Sequence, residues 1–173
     1  MDYRETIEDS KGGLEGLFSK IPGYQGYKEK EERRAADKLL RAYVSGQLAE
    51  QRRRLVDLQR DLVEAGGLLL VDDLDRAVTK VQKLADKIRT ASYGYAGIFD
   101  EVKVKEEELD ALYEFDEDML GHVSAIGGAI DALAATMDTD GDVKTAIRDV
   151  VSAAEEAEVT WRDRESAIIG AVQ

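Results

Sequence analysis

Residues 105–137 read KEEELDALYEFDEDMLGHVSAIGGAIDALAATM, and their spacing decides the fold. Leu109, Leu112, Asp116, Met119, Val123, Ile126, Ile130, Leu133 and Met137 follow one another in alternating steps of three and four, the period of one helix face. No proline interrupts the run. A stripe of this kind predicts a long helix that buries one face against other helices. Asp116 is the one ionisable member of the stripe.

The same pattern extends in both directions. After Asp138-Thr139-Asp140-Gly141-Asp142, the positions Val143, Ile147, Val150, Ala154, Ala157, Trp161, Arg164 and Ile168 repeat it, again with one ionisable member, Arg164. Upstream, residues 27–64 contain no proline and a single glycine, Gly46; Leu40, Val44, Leu48, Leu55, Leu58 and Leu62 keep the steps, with Gln51 filling the gap. This predicts a helix of about 55 Å at a rise of 1.5 Å per residue. Gly66-Gly67 predicts its end, and Asp72 an N-cap for the next helix. That helix carries Leu74, Val78, Val81, Leu84, Ile88 and Ala91, then weakens over residues 92–97.

Four seams joined by short connections predict an all-α chain, an antiparallel up-down-up-down four-helix bundle with a long first helix over residues 27–173. Residues 1–26 read as a flexible N-terminal segment with a short amphipathic helix carrying Leu14, Leu17, Phe18 and Ile21, closed by the Pro22-Gly23 turn. Counting back from the turn after Met137 places Asp116 and Arg164 at one height on adjacent antiparallel helices, so a buried pair is expected, with a role in fixing register. Small residues on the last two helices, among them Gly121, Ala125, Gly128, Ala132, Ala146, Ala154 and Ala157, predict close backbone approach.

Composition narrows the function classes. The 173 residues suffice for one domain, and 43% hydrophobic content for one sizeable core. The absence of cysteine removes disulfides, thiolate metal sites and cysteine nucleophiles. The charged start, Met1 to Ser10, has no apolar signal core, so a cytoplasmic protein is expected. Net charge is −13, and residues 97–173 alone sum to −14, which opposes nucleic-acid binding.

Candidate sites each meet a plainer alternative. Asp138, Asp140, Gly141, Asp142 and Asp149 partly match a calcium loop, but Val143 stands where the sharp turn needs glycine. A turn capped by Asp142 is the expected reading. Asp110, Glu114, Asp118 and His122 form an acidic stripe off the seam; with one histidine in the chain, no di-iron pattern exists. Arg52-Arg53-Arg54 interleaves with Glu50, Asp57 and Asp61, which favours ion pairing over phosphate binding. No nucleophile-elbow, Walker or dinucleotide motif is present, so no enzyme and no cofactor are expected.

Lys20-Ile21-Pro22-Gly23-Tyr24, Gly26-Tyr27, Lys30-Glu31 and Arg33, followed by Ser92-Tyr93-Gly94-Tyr95 and Leu112-Tyr113-Glu114-Phe115-Asp116, form a recurring-looking set. In these segments, spanning residues 17–120, the chain resembles a group of small uncharacterised bacterial helical proteins. The resemblance implies constrained aromatic corners and transfers no activity.

The leading expectation is a non-catalytic protein-interaction or scaffold bundle with a protein partner or self-association. Tyr24, Tyr27, Tyr93, Tyr95, Phe99 and Tyr113 converge at one end, where closure of the core is the plainer role and a candidate interaction surface the functional one. The alternatives are a peripheral membrane-associated factor using Leu14, Leu17, Phe18 and Ile21, for which a lid over the bundle end is the competing role, and a metal-binding helical bundle.

Overall fold

The computed structural model describes residues 14–91, 99 and 103–170. Every regular element among them is helical: α1 (residues 14–20), α2 (Lys30–Glu64), a 3₁₀ turn (Leu68–Leu70), α3 (Val71–Thr90), α4 (Glu106–Met137) and α5 (Val143–Gly170). The seams read from the sequence become the core. Leu40, Val44, Leu48 and Leu55 of α2, Leu74, Val81 and Ile88 of α3, Met119, Ile126 and Leu133 of α4, and Val150, Ala154 and Trp161 of α5 are all buried.

Local chemistry sets the helix ends. The N–H groups of Ala65, Gly66 and Gly67 return to the Asp61, Val63 and Leu62 carbonyls at 2.9, 3.1 and 2.9 Å, and Gly66 takes the left-handed conformation (φ +81°) that ends α2. Asp72 does not cap α3. The 3₁₀ turn runs directly into the helix at Val71, so Asp72 and Asp73 lie in the first turn, where their charge complements the helix dipole. At α4, the Glu108 carboxylate accepts from the Lys105 N–H at 3.2 Å. Asp142 accepts from the Thr145 N–H at 3.0 Å and its hydroxyl at 2.7 Å, which holds the Asp142 carboxyl below its ordinary value.

Packing adds an order that the seams do not contain. α2 packs on α3 and α4, and α5 packs on α3 and α4; the consecutive helices α3 and α4 are not among the closely packed pairs of described elements. Small residues divide between two roles. Gly127, Ala146, Ala154 and Ala157 are buried, whereas Gly121, Ala125, Gly128 and Ala132 face solvent and bring no backbones together. By length and composition α4 is apolar enough to cross a membrane, but its seam is occupied by α2 and α5.

Residues 14–27 are packed on the bundle rather than standing apart from it. Leu17, Ile21, Tyr24 and Tyr27 are buried, and residues 1–13 lie outside the described set. Gly46, by contrast, is an exposed mid-helix glycine with open space around it. Gly46→Ala is expected to stabilise the protein by about 0.5–1 kcal/mol, because alanine removes backbone freedom from the unfolded chain. A thermal melt checks this, and a lower midpoint would contradict the open environment.

Candidate functional site

The region where side chains of α2, α4 and α5 meet around Arg164 holds the densest chemistry among the described residues. Four charged residues are buried there: Arg33, Asp37, Asp116 and Arg164. All four sit on seams, or on the continuation of one, that would otherwise be apolar, so their helices carry them inward whether or not partners exist. Partners do exist. Arg164 Nε donates to Asp116 Oδ1 at 2.6 Å, and Arg164 Nη2 donates to Asp37 Oδ1 at 2.8 Å. The second oxygen of Asp37 accepts from Arg41 Nε at 2.8 Å, and the second oxygen of Asp116 accepts from the Tyr27 hydroxyl.

The result is a chain of alternating charge, Arg41, Asp37, Arg164, Asp116, ending on a phenol. Each buried carboxylate receives two donors, the condition under which a buried charge is tolerable. The chain also crosses the whole bundle. Asp37 and Arg41 come from α2, Asp116 from α4 and Arg164 from α5, while Arg41 Nη1 reaches the Arg89 carbonyl on α3 at 3.2 Å. The Arg164 guanidinium further stacks over the Trp161 ring at 4.9 Å.

Tyr27 connects this network to the N-terminal segment through all of its polar groups. Its hydroxyl donates to Asp116 and accepts from Arg164 Nη2 at 3.2 Å. Its N–H donates to the Tyr113 hydroxyl at 2.7 Å, and its carbonyl accepts from Arg33 Nε at 2.8 Å. Aromatic rings close around it: Tyr24 at 5.9 Å, Phe99 at 6.0 Å and Tyr113 at 5.2 Å between centroids. Gly26 is required beside it, since it adopts φ +77° and a Cβ there would lie 2.4 Å from the Tyr113 hydroxyl.

These positions bear on the two roles of the aromatic end. Tyr24, Tyr27, Phe99 and Tyr113 are buried, so they pack the core at this end and offer no contact area; Tyr93 and Tyr95 lie outside the described residues. The physical reason is that the hydroxyls of Tyr27 and Tyr113 have inward partners, and the rings follow. Among Leu14, Leu17, Phe18 and Ile21, Leu17 and Ile21 are buried, Leu14 is half-buried and Phe18 is 47% exposed. The apolar face of α1 is therefore turned onto the core, which leaves little to insert into a lipid surface.

Other candidates resolve into local pairs. His122 bonds Thr160 across α4 and α5 at 2.8 Å, while Asp110, Glu114 and Asp118 are exposed. Among the described residues no group of three or more histidine or carboxylate side chains converges as metal ligands would. Arg53 pairs with Glu50, and Arg54 with Asp131. The space beside Arg164, lined by Asp37, Phe99 and Trp161, amounts to about 10 Å³, no more than one water occupies. An open groove of about 330 Å³ lies between the start of α4 and the end of α5, with Ala111, Leu112, Ala167 and Ile168 as its apolar floor.

Burial outweighs the pull of Arg164 and Tyr27 on Asp116, whose carboxyl is pushed up to about 6 from an ordinary value of 3.8. Burial likewise raises the phenols of Tyr27 and Tyr113. Between about pH 4 and pH 6 the folded state binds the Asp116 proton more tightly than the unfolded state, so this group's contribution is full below pH 4 and is lost as pH rises through 6. The expected loss is on the order of 1–3 kcal/mol. Urea unfolding of the wild type and of Asp116→Asn at pH 4.5, 5.5, 6.5 and 7.5 isolates the effect: the wild type's advantage should shrink with rising pH. An advantage that grows with pH would mean that the ion pair, not burial, controls the carboxyl.

Comparison of the chain with protein-family models, with curated proteins and with solved structures finds no match.

Proposed function

We propose that this protein is a non-catalytic, partner-binding scaffold, built as an up-down-up-down four-helix bundle whose N-terminal segment is latched over one end. The observation that carries this reading is the fate of its chemically capable groups. Arg33, Asp37, Asp116 and Arg164 are buried and bonded to other parts of the chain, around a space too small for a substrate. A general acid or base needs access to a reacting group, and these side chains face one another instead. A rigid internal network with exposed helix faces is the anatomy of a platform.

Helix directions support the bundle. Turns after Glu64 and after Met137 are short, and Arg54 of α2 pairs with Asp131 of α4 at corresponding distances along their helices. This supports α2 and α4 running side by side in the same direction, with α3 and α5 returning.

The test is in-cell cross-linking of the tagged full chain, read by mass spectrometry. A recurrent heteromeric cross-link that saturates with expression is the expected result. A chain that cross-links only within itself, or turnover in a broad hydrolase and transferase screen that is lost in Asp116→Asn, would overturn the reading.

A further inference from the structure

The end of the bundle opposite the latch carries an apolar apex. In the turn between α2 and α3, Leu68 is 67% and Leu69 is 96% exposed, with Val63 beside them at 46%. The backbone holds these side chains outward. Three N–H groups of residues 65–67 bond back into the last turn of α2, and the Leu70 N–H bonds the Gly67 carbonyl at 3.1 Å. Gly67 is packed so closely under Leu62 that an added Cβ would lie 2.5 Å from its Cδ1. Leu70 and Val71 then pack against the core, which anchors the register of the apex. A helix–helix turn is readily made from asparagine, aspartate, serine or glycine, so the turn itself has no use for two leucines in water.

The rim of the apex is mainly acidic, with Arg60 and Arg76 as its cations on α2 and α3. Asp61, Glu64, Asp72 and Asp75 are exposed and make no ion pair among the described residues. Arg60 and Arg76, the nearby cations on α2 and α3, are paired with Asp57 and Asp73 at 3.5 and 3.6 Å. The α4–α5 turn at the same end adds Asp138, Asp140 and Asp142, and Lys144 and Arg148 follow on α5, where they line one pocket with Asp73 and Arg76.

We propose that the Leu68–Leu69 apex is a docking knob for a protein partner that presents an apolar socket ringed by lysine and arginine. The occupant follows from charge complementarity: apolar contact at the centre supplies affinity, and the acidic rim selects a basic surround. An anionic membrane would be repelled by the same rim, and a second copy of the chain would bring carboxylates against carboxylates. This assignment rests on the partner-binding reading above and adds where the partner binds and what chemistry it offers.

The test uses the full chain as wild type, as Leu68→Ser/Leu69→Ser, and as Glu64→Lys/Asp72→Lys, each first shown to melt like the wild type. A displayed random-peptide library is panned on the wild type, and the enriched peptides are titrated against all three. The expected result is peptides combining apolar anchors with Lys or Arg, whose affinity falls about tenfold or more in the leucine variant, and several-fold in the charge variant and at high salt. Peptides that bind the leucine variant equally, that lack basic residues, or that are never enriched would overturn the assignment. So would concentration-dependent dimerisation, or flotation with neutral or anionic phospholipid vesicles, that the leucine variant abolishes. Enrichment at a different surface would defeat the apex alone. The partner-binding reading fails separately, on the absence of heteromeric cross-links.

Discussion

Replacing Arg164 by methionine is expected to destabilise the protein by about 3–5 kcal/mol, the cost of leaving buried carboxylates without their cation. Against the total stability of an ordinary domain, about 5–15 kcal/mol, this is a large share. The geometry explains why the effect should be severe. Among the described residues Arg164 is the one cation that bonds both Asp37 and Asp116, and the side chains of all three are nearly inaccessible to solvent. Arg41 still meets Asp37, but Asp116 retains only the Tyr27 hydroxyl.

Chemical denaturation at pH 7 measures the loss, and a companion variant separates charge from packing. Changing Arg164→Met together with Asp37→Leu, Asp116→Leu and Tyr27→Phe removes every polar member that depends on Arg164. Recovery of most of the lost stability is expected, since apolar replacement of a buried ion together with its partners is often neutral or favourable, and Arg41, which loses Asp37, is partly exposed and keeps the Arg89 carbonyl. A combined variant as unstable as Arg164→Met alone would show that shape, not charge balance, is what Arg164 supplies.

Gly26→Ala is expected to cost about 3 kcal/mol, from a left-handed backbone that disfavours a side chain and from a collision with Tyr113. The consequence should also be local. The Tyr113 hydroxyl must move to admit the methyl group, and doing so breaks its bond to the Tyr27 N–H. Hydrogen exchange checks both parts: the Tyr27 amide should lose protection together with residues 17–24, before the centre of α4 does. Uniform loss across the chain would mean that the latch is not a separable unit. Gly46→Ala, in open space, serves as the control in which the same substitution should stabilise.

Parts of this site are visible in the sequence. Asp116 and Arg164 stand out because each interrupts an apolar seam, and periodicity alone carries them inward. Continuing the α2 seam two more turns toward its start, from Leu40 by steps of three and four, reaches Asp37 and Arg33, so that signal exists as well. The function of Tyr27 has no such signature. Apart from Arg33, its partners lie 86, 89 and 137 residues away, and nothing in the local pattern separates a tyrosine that bonds a buried carboxylate from one that faces a partner. The exposure of Leu68 and Leu69 is equally hidden, since leucines before a helix read as the beginning of its buried stripe.

Helix formation, helix length and the inward face of each helix were therefore determined by the sequence by itself, because they follow from a period of three and four residues and from local caps. Which helices are neighbours was decided only in the tertiary structure. α3 lies beside α5 and not closely beside α4, and an apolar seam of leucine, isoleucine and valine packs against any other seam about equally well. What distinguishes one arrangement is the set of long-range polar bonds, Arg164 to two carboxylates and Tyr27 to both helices of the second half, whose geometry exists only once the helices have met.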